Sequence, residues 1–315
     1  MTVSAVLDAS AVERALPMPV AIAAIRDALR GGLDPAAGPA RSVVPVPHGQ
    51  VLLMPAYWGE YAGVKLATVA PDNPERGLPR IQGTYLLLDG ETLTPLALVD
   101  AVALTAIRTA AVSAVAVDLL AEPDARRLLV FGSGPQARSH LAALRAVRPV
   151  DEVVVVGRDG GRARAFADTA AGEGLTARVG TAADVAGADL VVCATTARTP
   201  LFDGALLCPG STVVAVGSHE PDAAEVDATT VCASTVVVED RTTALREAGD
   251  VIGPVQAGLL DPESLVGLAD VVRGVVPVPP SRPRLFKSVG MAWQDLVLAA
   301  GMYARSRLGE EIRGV

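Results

Sequence analysis

The sequence predicts an α/β protein: a Rossmann-type doubly wound parallel sheet beside a discontinuous α+β domain. Three observations carry that expectation. From Ala125 onward, valine-rich runs at 126–131, 151–156, 188–194, 211–216 and 234–239 alternate with helical stretches, as parallel strands joined by crossover helices do. The first run ends on Gly132-Ser133-Gly134-Pro135-Gln136-Ala137. Ahead of it, short apolar runs are divided by Gly, Pro and Asp, the pattern of an antiparallel sheet. At 315 residues the chain suits two medium domains or one large one. Only 3% of the residues are aromatic, so the core has to be Val, Ala and Leu, which favours close helix-on-sheet packing.

In chain order, residues 1 to about 30 read as short helices, with Asp8 and Ser10 as caps and Gly31-Gly32 as a stop. Strands are expected at 42–46, 50–57, 62–70, 81–90 and 96–100. An alanine-rich stretch without Gly or Pro, 101–121, is one long helix. The alternating strands and helices then occupy 123–283, ending near the prolines of 279–283. A strand-like segment at 284–290 and a final helix from Met291 remain, and that helix is expected to return to the N-terminal region. The domain plan is therefore 1–122 with 284–315, and 123–283 between them.

A formal net charge of −8 argues against nucleic acid as a partner, because neutralising phosphates needs a basic face. Cys193, Cys208 and Cys232 lack metal-ligand spacing and lie in apolar stretches, so reduced, buried thiols are expected, and no metal site. The N-terminus lacks the basic and apolar regions of a secretory signal, and no segment reads as the roughly 18 apolar residues of a span. A cytoplasmic protein without a membrane partner is the expectation.

The Gly132 loop follows a strand and opens a helix, which is the context a dinucleotide site requires. Gly132 permits the tight turn, Gly134 lets backbone N–H groups approach a pyrophosphate, and Ala137 lets the helix lie close on its strand. The helix N-terminus supplies partial positive charge. The second strand ends in Gly157-Arg158-Asp159, with glycine where NAD-preferring proteins place a carboxylate against the ribose. Arg158 there suits a 2′-phosphate, so NADP is the expected cofactor and NAD the alternative. Arg158 and Asp159 read equally well as solvated residues opening the next helix.

Several segments taken together resemble the ornithine cyclodeaminase and mu-crystallin family over nearly the whole chain. They are Met54-Pro55-Ala56, Gly63-Val64-Lys65, Thr105 to Ala111 (TAIRTAA), the Gly132 loop, Ala215-Val216-Gly217-Ser218, Glu247-Ala248-Gly249-Asp250, and Phe286 to Ala292 (FKSVGMA) with Asp295. The resemblance implies a homodimer whose flanking segments form the substrate-binding and dimerisation domain. It implies that Arg41, Lys65 and Arg108 hold the carboxylate of a small amine or imine substrate. A cation on an apolar strand and another in an alanine helix are costly to bury unpaired, so an anion is expected beside them, either substrate or a structural Asp or Glu. Thr109, Thr195 and Val289 join the glycine loop and Arg158 as expected cofactor contacts.

Cyclodeaminases of this family resemble one another in a Glu before the Met-Pro motif and an Asp after the fifth strand. Leu52 and His219 stand there instead. His219 and Lys65 are thus the candidate proton donors, with weaker claims from His48 and His140. The leading expectation is an NAD(P)H-dependent reductase of small imino acids, or the reverse amino-acid dehydrogenase. Ornithine cyclodeaminase is the second reading, and a non-catalytic mu-crystallin-like ligand-binding protein the third.

Overall fold

The computed structural model describes residues 5–279 and 281–313, with side chains to residue 306. Residues 1–4, 280 and 314–315, which belong to the expected domains and to the 279–283 proline segment, lie outside the described residues. The chain forms two compact units, Met1–Thr109 with Met291–Val315, and Ala110–Gly290.

The flanking unit opens with β1 (Ala5–Leu7), α1 (Ala9–Ala15) and α2 (Met18–Arg30). Asp8 caps α1 by accepting from the Ala11 N–H at 2.8 Å. Ile22, Ile25 and Leu29 recur at helical spacing and are buried along one face of α2. Then come β2 (Ser42–Val46), β3 (Gly49–Trp58), β4 (Tyr61–Val69), β5 (Ile81–Asp89) and β6 (Pro95–Asp100), in a sheet ordered β1-β6-β5-β4-β3-β2. All pairs are antiparallel except β1 with β6. β1 falls where only helices were expected, because a three-residue strand has no periodicity and is held by its pairing with β6.

The helix α3 (Ala101–Leu120) runs from the flanking unit into the central one. By length and composition it is apolar enough to cross a membrane, so the expectation that no segment is long enough fails. Burial of 67% of its most apolar window inside the protein accounts for that apolarity instead.

The central unit contains β7 (Arg127–Phe131), α4 (Pro135–Arg145), β8 (Glu152–Val156), α5 (Gly160–Gly172), β9 (Thr176–Val179), β10 (Leu190–Cys193) and β11 (Thr212–Ala215). There follow α6 (Ala228–Ala233), β12 (Thr235–Val238), α7 (Arg241–Glu247), α8 (Gly249–Gln256), β13 (Val266–Gly267), α9 (Leu268–Val272) and β14 (Arg284–Lys287). Its eight strands are all parallel, ordered β13-β12-β14-β11-β10-β7-β8-β9. From β7 the chain adds β8 and β9 on one side, then crosses to β10 on the other, which puts a topological switch point between β7 and β10. Valines of β8, β10, β11 and β12 fill the core of this unit.

Residues 284–290 were assigned by sequence to the flanking domain. The structure corrects this: β14 lies inside the parallel sheet, between β11 and β12. Its four residues are buried, and the central unit runs on to Gly290. The final helix, α10 (Ala292–Arg313), packs on β3, β4, β5 and α2 of the flanking unit. All three cysteines are free thiols, but only Cys193 is buried; Cys232 is half-buried and Cys208 exposed.

Candidate active site

Alternation along β4 sends Gly63 and Lys65 to the covered face of the flanking sheet, while Leu66 faces outward. Lys65 pairs across the sheet with Met54 on β3 and Tyr85 on β5, both buried. The Lys65 ammonium donates to Asp295 Oδ2 at 2.8 Å and to Thr105 Oγ1 at 3.3 Å. Arg108, on the second turn of α3, donates to Gln294 Oε1 at 2.7 Å, and its Nε stands 3.5 Å from Asp295 Oδ1. Two buried cations therefore converge on one carboxylate at the start of α10. Burial pulls the Lys65 ammonium down to about 8; Asp295 opposes that, while the charges of Arg108 and Arg41 add to it. Half-buried Arg41 is thus within electrostatic reach of the cluster.

Among the described residues, three buried polar atoms of this cluster have no hydrogen-bond partner: Tyr85 Oη, Arg108 Nε and Asp295 Oδ1. Burial and the Asp295 charge hold the Tyr85 phenol well above its usual value. A Cβ on Gly63 would lie 2.3 Å from that hydroxyl, so the glycine of the Gly-Val-Lys segment makes room for Tyr85. A small polar ligand bearing both acceptors and a donor would satisfy such a set.

In the central unit the glycine loop has the form its sequence requires. Gly132 adopts φ +115°, and a Cβ there would stand 2.4 Å from the Ala194 carbonyl oxygen beyond β10. Gly134 caps α4 without any side-chain hydrogen bond, and the space above it is open. Pro135 is the first helical residue and Ala137 is fully buried. An uncapped, open N-terminus of an eleven-residue helix at a switch point fits a pyrophosphate. Gly157 directly follows β8, where a Cβ would already press on Ala163 at 3.2 Å, leaving little room for a carboxylate there.

A model of the ornithine cyclodeaminase/mu-crystallin family matches residues 2–310. The chain belongs to that family. It is 39% identical to a Δ1-pyrroline-2-carboxylate/Δ1-piperideine-2-carboxylate reductase of Azospirillum brasilense, over 98% of this chain and 97% of that one. Among solved structures it is similar to Δ1-pyrroline-2-carboxylate reductase of Thermococcus litoralis in complex with NADH and L-proline, with a TM-score of 0.90, 31% identity and coverage of 97% and 98%. It is likewise similar to an archaeal alanine dehydrogenase dimer with bound NAD, with a TM-score of 0.91, 27% identity and coverage of 98% and 97%. This cyclodeaminase/mu-crystallin family member therefore carries a nicotinamide-binding fold.

The structure brings Lys65 and Arg108 together and places Arg41 within range, but it gives both buried cations a protein carboxylate, Asp295. His219 sits in the other unit on an exposed loop. His48 is exposed in a turn. His140 is fully buried on α4 between Ser113 Oγ at 2.9 Å and the Gln136 carbonyl at 2.8 Å, and burial lowers it to about 4. That environment makes it a neutral structural histidine. Ser133 and Gln136 fall in and just after the glycine loop, and exposed Arg158 follows it in space at the end of β8. Asp159 is occupied as the α5 cap, accepting from the Arg162 N–H at 3.0 Å. Thr109 donates its hydroxyl to the Thr105 carbonyl in its own helix. Thr195 and Val289 have their N–H groups on Glu225 and Glu239.

Sequence reasoning missed the carboxylates behind these contacts. Asp295 and Asp250 were noted only as parts of family segments, and Glu225 and Glu239 were not noted at all. The available signal was a charge inside an apolar run, as at Glu239 after Val236-Val237-Val238, which is costly to bury without a donor.

Proposed function

We propose that the protein reduces small cyclic imino acids of the Δ1-pyrroline-2-carboxylate type with a reduced nicotinamide cofactor, and oxidises the matching amino acid in reverse. The observation that carries this is the buried cluster in which Lys65 and Arg108 face one carboxylate, with Tyr85 Oη, Arg108 Nε and Asp295 Oδ1 making no hydrogen bond among the described residues. A substrate carboxylate is the complementary charge for that cation excess, and Arg41 adds to it. A bound nicotinamide supplies the hydride. Lys65, mostly protonated at neutral pH with a value of about 8, is the group we assign to hold the proton that the imine nitrogen receives. Exposed His219 is the alternative donor.

The relatives support the same reading, since two are named for this imine and one was solved with L-proline. Cyclodeamination also requires groups that hold and deprotonate a side-chain amine, work suited to carboxylates. Leu52 is buried and apolar, and Glu220 and Asp222, the acids that follow His219 in sequence, are both paired with Arg198, at 2.5 and 2.6 Å. We assign NADP as the preferred cofactor on the strength of Gly157 and Arg158, NAD being the alternative, and a homodimer as the working assembly, as in the alanine dehydrogenase relative.

The test is NADPH and NADH oxidation with Δ1-pyrroline-2-carboxylate beside an assay of proline from ornithine with catalytic NAD(P)+. Imine reduction without comparable cyclodeamination is expected, with NADPH preferred and the preference reduced in Arg158→Ala. Proline from ornithine with no imine reduction would overturn the assignment, and a preference untouched by the substitution would overturn the role of Arg158.

A further inference from the structure

The carboxyl edge of the central sheet is tied together by a buried carboxylate that no expected contact includes. Glu225 is fully buried. Its Oε1 accepts from the Thr195 N–H at 2.8 Å and the Thr195 hydroxyl at 2.7 Å, and its Oε2 accepts from the Gly217 N–H at 2.6 Å. Thr195 lies just beyond β10 and Gly217 just beyond β11, so one side chain joins the loops leaving two adjacent strands. The loops are pressed together: a Cβ on Gly217 would stand 2.1 Å from the Thr195 carbonyl oxygen and 2.4 Å from Glu225.

Glu225 is itself fixed from behind. Asp250 Oδ1 accepts from the backbone N–H groups of Glu225 and Val226 at 2.6 and 3.0 Å. Asp250 Oδ2 is 2.7 Å from the Lys287 ammonium at the end of β14, both side chains being wholly buried. Lys287 donates in turn to the Ser218 carbonyl at 2.8 Å, next to Gly217, and so closes the ring. Burial raises the Glu225 carboxyl, while the Lys287 charge and the Thr195 and Gly217 donors act to keep it ionised.

We infer that Glu225 is a positioning residue for the half of the dinucleotide that lies beyond the switch point, acting through Thr195 and Gly217 on the ends of β10 and β11. This rests on the proposed nicotinamide-dependent function. In a doubly wound sheet the adenosine half lies toward the second strand, here β8, and the other half crosses to the strands on the opposite side, here β10 and β11. The glycine loop has a tie of its own on the β8 side, the Gly132 N–H donating to the Val156 carbonyl at 2.8 Å, and α4 follows it directly. Glu225 therefore governs one half of the site and not the other.

The experiment measures dissociation constants of the purified full-length protein for NADPH, NADH and ADP by fluorescence and calorimetry, in wild type, Glu225→Gln and Glu225→Asp. Glutamine offers one acceptor oxygen, so its amide must face either Thr195 or Gly217 donor to donor. Binding of NADPH and NADH is expected to weaken about tenfold in Glu225→Gln, with ADP within about twofold of wild type. Glu225→Asp keeps the charge but loses reach, and is expected to show the same pattern to a smaller degree; it carries the measurement if Glu225→Gln does not fold. Unchanged dinucleotide affinity overturns the inference. So does an equal loss for ADP and the dinucleotides, which would mark a general structural role. A wild type that binds no nicotinamide nucleotide overturns the proposed function itself, a result distinct from both.

Discussion

Truncating Arg108 to alanine removes a guanidinium that is 6% exposed and leaves Gln294 and Asp295 with one donor fewer in a dry site. A charge-assisted hydrogen bond to the substrate carboxylate is worth ~1.5–3 kcal/mol, so kcat/KM for the imine is expected to fall at least about tenfold, chiefly through KM, with cofactor affinity unchanged. Wild-type kinetics in Arg108→Ala would place the carboxylate elsewhere. Lys65 has a separate signature. Because its ammonium titrates at about 8, reduction is expected to slow as pH rises through that value. Asp295 is the carboxylate that raises it, so in Asp295→Asn the fall should move to lower pH. A pH profile identical in the two proteins would remove Lys65 from proton transfer.

The helix α4 joins the glycine loop to a buried histidine. A carbonyl can only accept, so His140 donates through Nδ1 to Gln136, and its Nε2 accepts from the Ser113 hydroxyl. The neutral ring is therefore the native form. Its folded value of about 4 lies below the ordinary 6.5, so its contribution to stability is complete above 6.5 and is lost as pH falls toward 4. The loss is on the order of 3 kcal/mol. Urea unfolding at pH 7 and pH 4.5 should show it, and His140→Gln should flatten the dependence; equal slopes would mean the histidine is solvated in solution. The glycine loop that opens this helix was legible in the sequence because each of its residues has a local reason. Lys65 and Arg108 were legible as costly cations in apolar stretches. Their partner was not, since Asp295 is 230 residues from Lys65 and ordinary as a first-turn acid of a helix. β14 was misplaced for the same reason: four residues after a proline cluster do not say which strands they will separate.

At the scale of the whole molecule, the outer side of the flanking sheet leaves apolar side chains in solvent. On one face, Val44 and Val46 of the edge strand β2 are 45% and 43% exposed, and the cross-strand neighbours Leu53 and Leu66 are exposed beside them. Such a surface calls for a partner, and the proposed dimer supplies a second copy of it. Sedimentation at micromolar concentration is expected to give a dimer, and Leu53→Lys with Leu66→Lys a monomer; a monomeric wild type would refute this. The position of β14 bears on how the chain is made. Because a strand from the last tenth of the sequence lies in the interior of the parallel sheet, with β11 on one side and β12 on the other, a nascent chain halted before residue 284 has every crossover helix of that sheet but a gap at its middle. On the ribosome the central unit therefore cannot close until residues 284–287 have emerged, and β12 waits for its β14 neighbour until then.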